Sequence, residues 1–106
     1  MNLYNLIEAE GLVPVAGLSG GGYAWGRIEV YYSPRASRFY WLHESGCSCY
    51  HFGDAEPYSL GDFSDGDRAA AIGALKGFSH YEGDPSKEEY DRETAKVRDY
   101  RPEVTA

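Results

Sequence analysis

Both cysteines of the chain and two of its histidines lie close together in the segment 43–51, HESGCSCYH. Thiolates and neutral imidazoles are the ligands that tetrahedral zinc prefers in proteins. If the preceding strand continues through this segment, alternate side chains point to one face. A metal site is therefore one hypothesis for this segment, and its candidate ligands are His43, Cys47, Cys49 and His51.

The spacing of these residues favours a different interpretation. Residues two apart on a straight strand have Cα atoms roughly 6.5–7 Å apart, and a zinc ion needs a compact tetrahedron of ligands. Structural zinc sites usually combine two separate ligand pairs, and His80 is the one further candidate here. A disulfide between Cys47 and Cys49 would close a small, strained ring, which suits a redox role better than a structural one. We therefore favour small thiols in a tight turn at Gly46.

A resemblance to a known family begins at the same residues. The segment resembles a family of small proteins of unknown function from bacteriophages of actinobacteria, in which a Tyr-Trp strand end is followed by an acid and Ser-Gly-Cys-Ser-Cys. The likeness covers residues 23–54 and is looser through 66–77. It implies a phage-encoded protein made inside a bacterial host, and it implies no particular activity. The matching residues are Tyr40, Trp41, Glu44, Ser45, Gly46, Cys47, Ser48 and Cys49.

Composition excludes several classes of function. The 106 residues suffice for one domain with a single core. The net charge of −7 opposes direct binding to nucleic acid, which requires neutralisation of phosphates by Lys and Arg. No apolar run reaches the length of about 18 residues that indicates a membrane span. Without an export signal, two cysteines favour a reducing location, so we expect the cytoplasm of the bacterial host.

The clearest structural pattern is a hairpin over residues 23–43, with a strand that alternates aromatic and apolar residues, a Ser-Pro turn and an aromatic return strand. An apolar stripe over 65–77 predicts a helix packed on this sheet, with Ser64 or Asp65 as its cap. Ser86 and Glu89 have the spacing of a capping box and predict a C-terminal helix.

We therefore predict an α+β fold. A small antiparallel sheet is built on the central hairpin, one helix packs on it, and a peripheral helix covers about 86–100. Residues 1–106 form one domain, of which 79–106 could be a peripheral helical extension. Pro14 limits the segment 12–18 to an edge strand, and Leu3 and Leu6 with Ile7 have helical spacing.

The predicted function is protein binding. We expect an accessory protein without enzymatic activity or cofactor, which binds and inhibits a host bacterial protein as a monomer or homodimer. No pair of acids is placed for catalysis, and GLSGGGYAWG lacks the Lys-Ser/Thr of a phosphate-binding loop. The alternative is a small zinc- or thiol-dependent protein that uses the 43–51 segment. The candidate contacts are aromatic and acidic, because such rings anchor interfaces: Trp25, Tyr31, Asp62, Asp65, Asp67 and Tyr90.

Overall fold

A meander of four antiparallel strands, in the order β1-β2-β3-β4, is the frame on which three helices pack. The computed structural model describes residues 1–102. The predicted α+β class is confirmed. None of the helices in these residues has the length and apolar character that crossing a bilayer requires. The elements are α1 (Leu3–Glu10), β1 (Val13–Gly21), β2 (Ala24–Ser33), β3 (Arg38–Cys47), a 3-10 turn (Leu60–Asp62), β4 (Ser64–Gly66), α2 (Arg68–Lys76) and α3 (Lys87–Asp99).

The central hairpin is confirmed and is longer than predicted. β2 and β3 pair without interruption from Ala24 opposite Cys47 to Ser33 opposite Arg38. In the connecting turn, the hydroxyl of Ser33 accepts a hydrogen bond from the amide of Ala36 at 3.0 Å. Because β3 continues to Cys47, the first half of the cysteine segment belongs to the strand and only the second half belongs to a turn.

One face of the sheet, the helix face, is covered by α2 and α3. The most deeply buried side chains of this core come from β2 and the two helices: Val30, Leu75 and Val97 have no exposed surface. Ile28 and Phe39 of the hairpin complete the contact between strands and helices. Burial of an aliphatic side chain stabilises a fold by about 1.5–3 kcal/mol, so this layer is a major source of stability.

The opposite face, the loop face, is covered by α1 and the connection between β3 and β4. Tyr31 and Leu42 of the hairpin form a second core with Leu3 and Leu6 of α1 and Phe63 of the connection. Gly11 ends α1 in the left-handed region at a φ of 66°, as helices commonly end at glycine. β2 thus contributes buried side chains to both faces, although Arg27 and Glu29, which alternate with Tyr31, are only half-buried.

The residues just before α2 form structure that the local sequence pattern does not reveal. Ser64–Gly66 form the short strand β4, which pairs with Phe39–Trp41 of β3. The helix consequently begins after this strand, and its cap is Asp67, whose side chain accepts a hydrogen bond from the amide of Ala70 at 2.9 Å. Ser64 and Asp65 do not cap the helix, because they already pair within the sheet.

The C-terminal helix α3 has the predicted cap but lies deeper than its few apolar residues suggested. Ser86 and Glu89 form the capping box. The helix contacts both α2 and β1, and Val97 is fully buried. Arg68 of α2 donates hydrogen bonds to the carbonyl oxygens of Val97 at 2.6 Å and of Tyr100 at 2.8 Å. Carbonyl groups at the end of a helix lack intrahelical partners, so these bonds from Arg68 satisfy the end of α3 and tie the two helices together.

A buried carboxylate joins α3 to the outer edge of the sheet. Glu93 is 6% exposed, and its Oε1 accepts a hydrogen bond from the amide of Gly17 in β1 at 3.0 Å. Its Oε2 lies 2.7 Å from Nζ of Lys96 and 3.3 Å from Nε of Arg92. Burial would raise the pKa of Glu93, but these cations and the Gly17 amide together hold its pKa below the usual value.

Glu93→Gln is expected to lower the free energy of unfolding at neutral pH by about 1–3 kcal/mol, because a buried charge-assisted network loses its anion. The pKa of Glu93 is lower in the folded chain than in the unfolded chain. The contribution of Glu93 to stability is therefore fully present above the unfolded-state pKa and is lost as the pH falls through the folded-state pKa. Urea unfolding of the two proteins should therefore converge in acid.

The exposed Glu88 of the same helix offers the matched control, because Glu88→Gln should leave stability nearly unchanged at every pH. A Glu93→Gln protein as stable as the wild type at neutral pH would contradict the role of this carboxylate. So would a stability difference that persists undiminished at acidic pH.

Candidate functional site

A single indole group closes the turn that follows β3. Nε1 of Trp25 donates hydrogen bonds to the carbonyl oxygens of Cys47 at 2.9 Å and of Tyr50 at 2.6 Å. The amide of Tyr50 donates to Cys47 at 3.0 Å, which closes the turn from within. The rings of Trp25 and Tyr50 are stacked, with centroids 6.2 Å apart. A Cβ at Gly46 would lie 2.6 Å from Cδ1 of Tyr50, so this position excludes a side chain.

The turn brings the two cysteines into contact. Both thiols are free, and the sulfur atoms of Cys47 and Cys49 lie 2.7 Å apart. Cys49 is exposed and Cys47 is half-buried. The hydrogen bond between the two thiols lowers the pKa of Cys47 and raises the pKa of Cys49. The pair can therefore hold one thiolate beside one thiol.

The two histidines of the segment do not join the cysteines. His43 lies on the helix face of β3, where its ring packs edge-on against Phe78 with centroids 5.4 Å apart. His51 is exposed, and its amide donates to the carboxylate of Asp54 at 2.9 Å. In residues 1–102, no group of three or more histidine, cysteine, aspartate or glutamate side chains is placed to hold a metal ion. The turn after Cys47 ends the strand alternation on which the four-ligand hypothesis depended.

The three predicted acidic contacts are exposed, but each carboxylate already has a local partner. Asp62 accepts a hydrogen bond from the amide of Ser59 at 2.8 Å, and Asp65 lies 2.6 Å from Nε of Arg38. Asp67 caps α2. These groups stabilise a turn, the β3–β4 pair and a helix end, and the structure does not gather them into an array of free acids.

The three predicted aromatic contacts occupy different environments. Tyr31 is only 5% exposed within the core of the loop face, because α1 and Phe63 cover its ring, so it does not lie on the surface as the sequence pattern predicted. The hydroxyl of Tyr90 donates to the carbonyl oxygen of Phe78, and its ring is half-buried. Trp25 is half-buried and uses its N–H within the turn. None of the three presents a freely exposed ring.

Two other tyrosines are far more exposed and lie at one end of the sheet. Tyr23, in the turn between β1 and β2, is 73% exposed, and Tyr81, in the loop 79–84, is 87% exposed. The turn and the loop are joined by two hydrogen bonds, from Gly21 to the carbonyl oxygen of Gly83 at 2.8 Å and from Ala24 to the carboxylate of Glu82 at 2.9 Å. We call the turn 21–24 and the loop 79–84 the aromatic end.

The loop of the aromatic end is held in place by its own contacts. The amide of His80 donates to Asp84 at 2.8 Å, and the amide of Gly83 donates to His80 at 3.1 Å. The His80 ring stacks on Tyr81, with centroids 4.6 Å apart. A Cβ at Gly26 would lie 2.8 Å from Cδ2 of His80, so the imidazole rests on bare backbone of β2. The loop therefore presents Tyr81 from a fixed base.

Sequence reasoning missed the aromatic end because SHYEGDP has the composition of a linker. One signal was available, since a tyrosine among Gly, Asp and Pro has no apolar neighbours with which to enter a core. The alternating pattern that begins at residue 23 also predicts a strand at Tyr23, although the triple glycine before it favours a turn. The contact between the two loops could not be inferred, because it depends on the path of the chain after α2.

A cleft of about 390 Å³ lies between β3 and the end of α2. It lies beside Ser64, the first residue of β4, where the pairing of β4 with β3 stops at Trp41. Ile28, Trp41 and Phe78 supply apolar walls, and His43 and Asp62 supply polar groups. Its volume is within the range of small-molecule sites.

Comparison of the chain with protein-family models, with curated proteins and with solved structures finds no match. The geometry of its own residues is therefore the basis for a functional proposal.

Trp25→Phe is expected to reduce the free energy of unfolding by about 1–3 kcal/mol, because two carbonyl groups lose their shared donor. Hydrogen exchange of the Tyr50 amide should accelerate as the turn opens. Trp41→Phe removes a similar volume, and the indole N–H of Trp41 takes part in none of the hydrogen bonds found in residues 1–102. Equal protection of the Tyr50 amide in the two variants would contradict this role of Trp25.

Proposed function

We propose that this chain is a non-catalytic accessory protein, encoded by a phage, that binds and inhibits a host bacterial protein through the aromatic end. The observation that carries the proposal is the exposure of Tyr23 and Tyr81 on two loops that are hydrogen-bonded to each other. The place of action that we propose is the cytoplasm of the host.

The chemistry of the exposed rings supports a protein partner. Tyrosine combines a large apolar ring with a polar hydroxyl, and tyrosines are enriched among the residues that dominate binding energy. Large aromatic side chains usually bury most of their surface, so two rings above 70% exposure at one end of a domain are informative. A partner that covers them would gain the apolar contact that the fold itself leaves unused.

The rigidity of the two loops also favours binding. Association costs free energy for each loop or side chain that must become ordered. Here the bonds from Gly21 to Gly83 and from Ala24 to Glu82 join the loops before any partner arrives. Tyr81 is further positioned by its stack on His80. The rings are thus presented by a preorganised surface.

The charge of the aromatic end favours a basic partner. Glu82 and Asp84 follow Tyr81 in the same loop, and the whole chain carries a net charge of −7. Both carboxylates accept hydrogen bonds from backbone amides, which fixes their positions without neutralising them. Complementary charge mainly increases the association rate and the specificity. We therefore expect a partner surface with Lys or Arg around a pocket for tyrosine.

The phage source is supported by the motif from Glu44 to Cys49, and inhibition is supported by size. A stable interface covers roughly 800 Å² on each partner. A chain of 106 residues that binds at a functional surface of a host protein would therefore obstruct that surface directly.

Replacing both exposed rings should abolish tight binding. We expect the Tyr23→Ser, Tyr81→Ser double variant to bind a partner captured from an actinobacterial lysate about 100-fold more weakly, because each lost anchor costs about 1.4 kcal/mol or more. Biolayer interferometry with the purified partner measures the Kd. Tyr4→Ser is the matched control, since Tyr4 is 76% exposed on α1, which covers the loop face.

Three outcomes would count against the proposal. They are an unchanged Kd for the double variant, an equal loss for Tyr4→Ser, and the absence of any specific partner for the folded wild type. Thermal unfolding of all variants confirms that the substitutions at these exposed positions leave the fold intact.

A further inference from the structure

The cysteine pair is an accessible dithiol at a fixed position. The turn from Cys47 to Tyr50 places the two sulfur atoms 2.7 Å apart, although Ser48 separates the cysteines in sequence. Cys49 is exposed and Cys47 is half-buried. Formation of a disulfide requires the two sulfur atoms to be in contact, and the turn supplies that contact. The ring strain expected for this spacing favours a reversible bond over a permanent one.

We propose that Cys47 and Cys49 form a redox-active dithiol that undergoes thiol–disulfide exchange with low-molecular-weight disulfides. This activity belongs to the end of β3 and does not depend on the protein-binding function proposed above. Three features of the site carry it: contact between the sulfur atoms, their access to solvent, and a turn that is held in place by the Trp25 indole.

The exchange proceeds in two balanced steps. The Cys47 thiolate attacks one sulfur of a disulfide RSSR, forms a mixed disulfide and releases one RS⁻. The Cys49 thiolate then attacks Cys47 in that mixed disulfide, forms the Cys47–Cys49 bond and releases the second RS⁻. The protein loses two protons and two electrons, and RSSR is reduced to two thiols. The hydrogen bond between the two thiols lowers the pKa of Cys47 and so favours Cys47 as the first nucleophile.

The surroundings of the pair suit repeated oxidation and reduction. Trp25 holds the carbonyl groups at both ends of the turn, so the backbone keeps its path while the sulfur atoms change partners. Neither sulfur belongs to the two hydrophobic cores, so forming the bond need not disturb the packing of the sheet. We therefore expect the reduced and oxidised proteins to share one fold.

The test equilibrates the full chain with glutathione and glutathione disulfide in buffers of decreasing reducing power, in the presence of a chelator. Free thiols are then blocked, and the intact mass is measured. The chain has two cysteines, so a monomer that has lost two hydrogens contains the Cys47–Cys49 bond. We expect this form to replace the dithiol, with glutathione adducts present only transiently.

Single variants identify the resolving step. Cys47→Ser and Cys49→Ser should each accumulate a stable adduct of one glutathione, because no second thiol remains to displace it. His51→Ala should behave like the wild type, since the His51 side chain has no part in exchange. Thermal unfolding of each reduced variant shows whether the fold is retained.

The proposal would be overturned by a wild-type chain that stays reduced, or by one that accumulates glutathione adducts as the single variants do. Oxidation that yields only disulfide-linked dimers on gel filtration would also overturn it. Loss of exchange in His51→Ala would indicate a histidine-dependent site in place of the dithiol.

Discussion

Burial of both faces of one hairpin is the constraint on which this structure depends. β2 carries apolar residues in both of its alternating sets, so neither face of the sheet can remain in water without a large loss of hydrophobic stabilisation. Val30 packs against α2 and α3, and Tyr31, the next residue along the strand, packs against α1 and Phe63. A chain of 106 residues must therefore supply a separate layer to each face.

This constraint explains where exposed chemistry is found. The helices and the connection cover the faces of the sheet, and the accessible Tyr23 and Cys49 lie at its end, where strands give way to turns. The turn 21–24, the turn after Cys47 and the loop 79–84 meet the sheet at that end, because Ala24 lies opposite Cys47 and Gly21 bonds to Gly83. The exposed tyrosines and the dithiol both follow from this arrangement. Function at loop ends on a rigid scaffold is a common arrangement in small domains.

Local sequence patterns predicted much of the fold. Alternation in 23–32, the capping pair Ser86 and Glu89, and the glycine after α1 each act over a few residues, so they can be read directly from the sequence. β4 has only three residues and is defined by its pairing with Phe39–Trp41. The burial of Tyr31 likewise depends on α1, which is distant in sequence. Such features depend on tertiary contacts that no local pattern contains.

The candidate site was predicted less well than the fold for a related reason. Strand alternation placed His43 and His51 beside the cysteines, but alternation applies only while the strand lasts, and β3 ends at Cys47. The hydrogen bond from Trp25 to the carbonyl oxygen of Tyr50 joins separate segments of the chain, and so does the hydrogen bond between the two loops of the aromatic end. The sequence alone indicates that tyrosines can bind partners and that cysteines can react. Which residues surround them is determined only by the folded chain.

The bond between Glu93 and Gly17 has a consequence for how copies of this chain meet. β1 forms one edge of the sheet, and an unprotected edge can extend into a continuous sheet shared by many molecules. Here a side chain occupies one outward amide of β1, and the carbonyl of Gly83 occupies another. Two of the donors that a foreign strand would need are already taken, so this edge offers an interrupted template for adding a strand.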